Sequence, residues 1–445
     1  MGMLFGTDGI RGKANYYPMT CEIAMKTGRA VGTFAKENGY KSVIIGKDTR
    51  ISGDMLEAAL SSGVASTGID VLQAGIIPTP GIAFLCSDVQ EAGAGIVISA
   101  SHNPFYDNGI KIFKHNGTKL SDEEELKIES LILSNDFVSQ GNVGKISIFS
   151  DGLEKYAKFL LSKFPFMKPE KKLKLVIDCS NGAASKISHM IFNQNLFEAS
   201  FIFDSPNGTN INEACGSQYT DQLRQEVATG KADIGLAFDG DADRLIAVDE
   251  NGKEMTGDRI LAICAKHAKQ KNRLRDNVVV STTMSNIGLT EFLINHKIRH
   301  VRADVGDRKV LEEMQKCGAV IGGEDSGHMI FLDLHTTGDG LLSALKLIEV
   351  LLETGQSLST LASGMTVYPQ ALMNVKIDKS KSDMMKKSEV ANTITAIEKK
   401  LGRKGRVLIR YSGTQPLLRV MVEGPDQKTT DKFCKEICDT IKANI

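Results

Sequence analysis

The chain has 445 residues, enough at roughly 150 residues per domain for about three domains and a sizeable core without disulfide or metal staples. Its 54 Lys and Arg balance 54 Asp and Glu, so there is no broad basic field for non-specific nucleic-acid binding, and an anionic ligand has to be held locally. Apolar runs such as Leu175-Val176-Ile177 and Val278-Val279-Val280 are far too short to span a bilayer, which excludes insertion through them.

The opening MGMLFGTDGIRG carries no export pattern, and Gly6 stands where a myristoylation signal needs Ser or Thr. Eight cysteines, none in a CxxC, read as reduced thiols, and together these features predict the cytoplasm.

Along the chain, helix-period stretches at Met19 to Asn38 and Asp54 to Gly68 alternate with strands Ser42 to Gly46 and Gly95 to Ser99. That pattern predicts a βα repeat with a parallel sheet. The run Ser121-Asp122-Glu123-Glu124-Glu125 reads as an N-capped helix start, and a polar connection places a boundary near residue 150. A second α/β unit is expected over 151–252. It has strands Leu173 to Ile177, Ile234 to Phe238 and Leu245 to Val248, and helices near Lys186 to Phe197 and Asp221 to Val227.

A third unit, 253–366, takes helices Asp258 to Lys269, Leu289 to Asn295, Arg308 to Cys317 and Gly340 to Thr354, with strands Val278 to Ser281 and Ala319 to Gly322. The tail, 367–445, reads as a smaller α+β domain, with strands Ala371 to Ile377, Val407 to Arg410 and Leu417 to Val422 and helices Lys386 to Leu401 and Thr430 to Ile441.

Four loops could carry chemistry. Asp239-Gly240-Asp241-Ala242-Asp243-Arg244 offers three carboxylates at alternate positions, a donor set for one hard cation such as Mg²⁺ or Ca²⁺. Glu250 falls at the twelfth position of an EF-hand count from Asp239, but Arg244 occupies the sixth, where the turn needs Gly. A solvated acidic turn is the bland alternative, disfavoured because three acids held together without a counter-ion repel.

The second loop, Ala100-Ser101-His102-Asn103-Pro104 followed by Asp107-Asn108-Gly109-Ile110-Lys111, lies past the carboxyl end of a strand, where open α/β sheets place ligands. Ser101 reads there as a nucleophile or as a turn residue bonded to backbone. A Ser-His-Asp hydrolase is disfavoured, since the adjacent His102 is expected to point elsewhere and G-x-S-x-G is absent.

The third loop, Gly322-Gly323-Glu324-Asp325-Ser326-Gly327-His328, combines carboxylate and hydroxyl groups suited to a polyol. In the fourth, Arg410-Tyr411-Ser412-Gly413-Thr414-Gln415-Pro416 with Arg419 beyond it, two guanidinium groups, two hydroxyls and a flexible Gly413 make a phosphate cradle. A surface salt-bridge site is its plain alternative. Glycine-rich patches at residues 5–12, 46–50 and 305–308, and the other histidines, read as turns and structural groups.

Taken in order, these loops resemble the α-D-phosphohexomutase superfamily over nearly the whole chain. FGTDGIRG, NINEACGS and VGDR are similar to its phosphoglucosamine mutase branch rather than to the phosphomannomutase or phosphoglucomutase branches. The resemblance implies four domains around a central cleft, three related α/β domains and a C-terminal α+β domain. It implies a phosphoserine at Ser101, Mg²⁺ held by Ser101, Asp239, Asp241 and Asp243, and catalytic positions at Lys111 and Arg11. Substrate contacts are implied at Arg244, Glu324, Ser326, Arg410, Ser412, Gly413, Thr414 and Arg419.

The implied reaction interconverts glucosamine 6-phosphate and glucosamine 1-phosphate through a sugar 1,6-bisphosphate, which also serves as activator, and feeds UDP-N-acetylglucosamine and cell-wall precursor synthesis. Neither a nucleic acid nor a membrane partner is implied, and a homodimer is left open. Asp325 stands where the branch has Gln, Tyr411 where it has Pro and Gln415 where it has Glu, which leaves sugar preference and the rigidity of the phosphate loop open. A metal-dependent sugar-phosphate phosphatase and a non-catalytic phosphosugar binder are the rival classes.

Overall fold

The computed structural model describes residues 4–6, 8–134, 141–165, 172–193, 195–377, 384–411 and 417–445. Two compact units result, one from Met1–Met284 with Ile298–Ser363, the other from Ser285–Lys297 with Gly364–Ile445. Helix Ile287–Asn295 lies within the second of these units.

In the first unit the leading sheet has six strands, in the order Ile10–Lys13, Asp107–Lys114, Ala92–Ile98, Ser42–Lys47, Asp70–Ile76 and Ile146–Ile148. Ala92–Ile98 is buried along its whole length, as expected of an apolar run covered on both faces. Its pairing and that of Asp70–Ile76 with Ser42–Lys47 are parallel, whereas Asp107–Lys114 runs antiparallel to Ala92–Ile98 and Ile10–Lys13 antiparallel to it in turn. The sheet is therefore mixed, not purely parallel. The stretch from Asp107 to Lys111, read as part of the second loop, is a strand whose Asn108 side chain is buried and donates to Ser52 Oγ at 2.9 Å.

A five-stranded sheet follows in the order Glu254–Met255, Leu245–Asp249, Ile234–Phe238, Leu173–Asp178, Phe197–Ile202. The helix expected to reach Phe197 stops at Phe192, capped at Asn193, and Phe197 opens a strand parallel to Leu173–Asp178. A four-stranded sheet takes Arg299–Ala303, Val278–Thr282, Ile321–Gly323 and Met329–Phe331. The second unit is a three-stranded antiparallel sheet, with Leu417–Glu423 between Gln370–Lys376 and Arg406–Tyr411, packed through Val390, Ile397, Phe433 and Ile437 of its helices. No described helix is long and apolar enough to cross a membrane.

Candidate active site

Ser101 lies just past the carboxyl end of Ala92–Ile98, with φ +53°, a left-handed conformation that a non-glycine residue adopts only when its surroundings over-determine it. Those surroundings are specific. The Ser101 N–H donates to Ser99 Oγ at 2.9 Å, and its carbonyl accepts from Arg50 Nη2 at 3.1 Å and Asn212 Nδ2 at 2.9 Å. Arg50 is itself fixed by a buried ion pair with Asp48. The hydroxyl, so aimed, donates to Asp239 Oδ2 at 2.5 Å.

Asp239, Asp241 and Asp243 occupy the hairpin between the antiparallel strands Ile234–Phe238 and Leu245–Asp249. All three are buried, and one carboxylate oxygen from each lies within 4.8 Å of the others. The Oδ1 atoms of Asp241 and Asp243 are buried with no hydrogen-bond partner among the described residues. Burial, and then the charges of Asp243 and Asp241, push the Asp239 carboxyl well above the usual range. Burial also opposes ionisation of Asp241, but Lys111 and the Thr79 hydroxyl outweigh it and hold that carboxyl low. Two orphaned carboxylate oxygens beside a third buried carboxylate suit a hard divalent cation, so the residues fit a metal.

Lys111 stands on the strand Asp107–Lys114, 2% exposed, with Nζ 2.8 Å from Asp241, 3.3 Å from Asp8 and 3.5 Å from Asp243. Arg11, on the neighbouring strand, pairs with Asp8. Arg244 Nε lies 3.9 Å from Asp239 Oδ2 and 3.8 Å from Asp243 Oδ1, again without a hydrogen bond. Three cationic side chains thus border the acidic hairpin.

Glu324 to His328 form the turn between Ile321–Gly323 and Met329–Phe331, which pair antiparallel. The turn is stitched to the Asp hairpin, since Leu245 N–H donates to the Gly327 carbonyl at 3.0 Å and Arg244 bridges His328. Glu324 Oε1 accepts from Gly306 N–H at 3.1 Å, and Ser326 is exposed. Asp325, whose extra charge bore on sugar preference, accepts through Oδ1 from Asp258 N–H at 3.3 Å, at the start of helix Gly257–Gln270. Gly257 is obligatory there, because a Cβ would sit 2.1 Å from the Glu324 carbonyl oxygen.

In the second unit Arg410 and Arg419 face one another across the antiparallel pair. Burial, and then the Arg419 charge, lower the Arg410 pKa; a like-charged cross-strand pair is a place for an anion. Ser412, Gly413, Thr414 and Gln415 lie outside the described residues. Tyr411 closes the strand, its hydroxyl accepting from Met384 N–H at 2.8 Å.

Sequence reasoning missed several groups. His102 does not point away: its Nδ1 lies 3.3 Å from Ser101 Oγ, although burial and then Arg244 and Arg11 push its pKa down to about 4 and among the described residues no carboxylate orients its ring. His328, 3% exposed, sits between Asp307 at 3.5 Å and Asp243 at 4.0 Å. Lys119 joins Asp8 to Asp307, and Thr79 Oγ1 donates to Asp241 Oδ2 at 2.5 Å. Single residues scattered over 250 positions leave no spacing signal.

Known proteins resemble the chain in sequence and in fold. The chain matches the phosphoglucomutase/phosphomannomutase α/β/α domains I, II and III over residues 2–139, 154–252 and 256–368, and the family's C-terminal domain over 372–440. It is 58% identical to a phosphoglucosamine mutase of Desulforapulum autotrophicum, with 99% of each chain covered. With the phosphoglucosamine mutase of Syntrophobacter fumaroxidans it shares 51% identity over 100% of both chains. A solved phosphoglucomutase/phosphomannomutase family protein from Burkholderia thailandensis superimposes with a TM-score of 0.82, at 23% identity, covering 99% of this chain and 97% of that one. With matched domains and close relatives over its whole length, the chain belongs to the phosphoglucosamine mutase family of the phosphohexomutases.

Proposed function

We propose that this enzyme is an isomerase that interconverts glucosamine 6-phosphate and glucosamine 1-phosphate, with Ser101 as the phosphoryl carrier. The observation that carries this reading is the buried Ser101 hydroxyl donating to Asp239 at 2.5 Å inside the three-carboxylate hairpin. Phosphoryl transfer asks chiefly for positioning and for charge aimed at the non-bridging oxygens. Asp239, Asp241 and Asp243, with the Ser101 phosphate, would hold Mg²⁺, which supplies neutralisation of phosphoryl charge.

In the forward half-reaction the bond from Ser101 Oγ to phosphorus breaks as one forms to the free sugar hydroxyl. The net proton shift is from that hydroxyl to Ser101 Oγ, and the product is a sugar bisphosphate. The sugar turns, and its other phosphate returns to Ser101. Lys111 and Arg11 supply fixed positive charge beside the reacting oxygens, and Arg244 supplies more at the hairpin. Glu324 and Ser326 offer an acceptor and a hydroxyl to the sugar. Arg410, Ser412, Gly413, Thr414 and Arg419 are assigned to the phosphate that is not being transferred, and a trace of sugar 1,6-bisphosphate is the expected activator. We assign the four stretches 1–150, 151–252, 253–366 and 367–445 to the phosphoserine, metal, sugar and phosphate loops in turn. All eight cysteines are free thiols, which supports a reducing, cytoplasmic setting.

The test is peptide mapping by mass spectrometry after incubation with sugar bisphosphate, together with Ser101→Ala. Phosphate on Ser101 and loss of nearly all turnover in the folded variant are expected. Phosphate found only on another residue would sink the assignment.

A further inference from the structure

The backbone of the Asp hairpin is held in an informative way. The Gly240 carbonyl accepts from Ala183 N–H at 2.8 Å, the Asp241 carbonyl from Thr79 N–H at 3.0 Å, and the Ala242 carbonyl from Gly340 N–H at 3.0 Å. Each donor stands at the amino end of a helix: Ala184–Phe192, Thr79–Asp88 and Gly340–Thr354. N–H groups there have no intrahelical partner, so three consecutive loop carbonyls satisfy three helix ends, whose positive dipoles favour nearby anions. With those carbonyls drawn outward and Ala242 at φ +57°, the carboxylates are left to converge.

Two of these helices are joined by a buried polar network that makes no hydrogen bond to the carboxylates of the hairpin, although Asp339 feels the charge of Asp243. Asp339, the N-cap of Gly340–Thr354, accepts from Leu342 N–H at 2.9 Å through Oδ1 and from the Tyr156 hydroxyl at 2.7 Å through Oδ2. Both Asp339 and Tyr156 are completely buried. His335 Nε2 lies 3.9 Å from Asp339 Oδ2 and donates to the carbonyl of Pro80, in the Thr79 helix, at 2.9 Å. Nor is there slack where the helix meets the hairpin, since a Cβ on Gly340 would lie 2.4 Å from the Arg244 carbonyl oxygen.

We propose that Tyr156 and Asp339 are positioning residues for the metal-binding hairpin. The Tyr156 hydroxyl fixes the Asp339 side chain, Asp339 caps and seats the Gly340 helix, and the Gly340 N–H fixes the Ala242 carbonyl between Asp241 and Asp243. This rests on the reading that the three aspartates hold a divalent cation. Groups that orient metal ligands from behind typically cost 10–100-fold in metal affinity when removed.

The experiment titrates Mn²⁺ against the full-length protein and reads free Mn²⁺ by electron paramagnetic resonance, without turnover. Melting temperatures are recorded in parallel. Tyr156→Phe and Asp339→Ala are expected to weaken Mn²⁺ binding by about tenfold. Asp339→Asn, which keeps an acceptor for the helix N–H, should stay within about twofold of the parent. Thr20→Ala removes a cap from the helix Cys21–Glu37, far in sequence from the hairpin, and should lower the melting temperature without changing Mn²⁺ affinity. Should Asp339→Ala fail to fold, Tyr156→Phe and Asp339→Asn decide the matter. Parent-like Mn²⁺ affinity in Tyr156→Phe, or equal weakening in Thr20→Ala, would overturn the positioning role. Failure of the parent itself to bind Mn²⁺ would instead overturn the metal reading beneath it.

Discussion

Replacing Lys111 by Met keeps an unbranched side chain one atom shorter and deletes its charge. The ammonium is 2% exposed and is shared by Asp241 at 2.8 Å, Asp8 at 3.3 Å and Asp243 at 3.5 Å, so its loss leaves buried carboxylates facing one another. Breaking a buried ion pair from one side costs about 3–5 kcal/mol. The first compact unit spans about 350 residues, and at about 2.1 cal/mol/K per residue its unfolding entropy is roughly 0.7 kcal/mol/K. The expected fall in melting temperature is therefore about 4–7 °C. Proton uptake by the hairpin carboxyls favours the lower end.

The response to metal has the opposite sign. A hairpin with one positive charge fewer attracts a divalent cation more strongly, so Mg²⁺ should raise the melting temperature of Lys111→Met by more than it raises that of the parent. Scanning calorimetry in chelator and in excess Mg²⁺, on both proteins, measures all four temperatures. An unchanged melting temperature in chelator, or equal increments on adding Mg²⁺, would refute the charge balance assigned to Lys111.

Three further outcomes are expected. Arg410→Ala and Arg419→Ala should raise KM for both monophosphates more than they lower kcat, with a combined effect of about 1.5–3 kcal/mol in kcat/KM for each arginine in steady-state kinetics. Neither should lower the melting temperature of the second unit, since each relieves a like-charged cross-strand pair. Asp325→Asn should leave the ratio of kcat/KM for glucosamine and glucose phosphates unchanged, because Asn keeps the oxygen that accepts from the Asp258 N–H; a switch of preference would put that charge in contact with the sugar. Gly340→Ala should depress Mn²⁺ affinity further than Tyr156→Phe, since its Cβ would collide with the Arg244 carbonyl, and a parent-like affinity would show that the hairpin yields.

How much was legible in the sequence follows from where each signal resides. The acidic hairpin was readable because its three carboxylates fall within five consecutive residues between two apolar strands, whereas the helix ends that hold its backbone were not. Ser101 was readable as a residue beyond a strand end, and its left-handed φ came only with the structure. The strand Asp107–Lys114 was not readable, since Asp-Asn-Gly favours a turn and only pairing on both sides with Ile10–Lys13 and Ala92–Ile98 overrides it. The partner of Asp325 was not legible either, since the Asp258 N–H from which its Oδ1 accepts lies 67 positions earlier in the chain. Tyr156 and Asp339 are separated by 183 positions, and no local pattern links a tyrosine on one helix face to the cap of another.

The central claim is that a phosphoryl group passes between Ser101 and an amino-sugar phosphate, not to water. It is tested most directly by following glucosamine 6-phosphate, glucose 6-phosphate and mannose 6-phosphate by phosphorus NMR, each with Mg²⁺ and a trace of sugar bisphosphate. The account predicts conversion of glucosamine 6-phosphate to glucosamine 1-phosphate with the highest kcat/KM of the three, dependence on the bisphosphate, and no accumulation of inorganic phosphate. Steady release of inorganic phosphate, or a preference for the glucose or mannose phosphate, would contradict it.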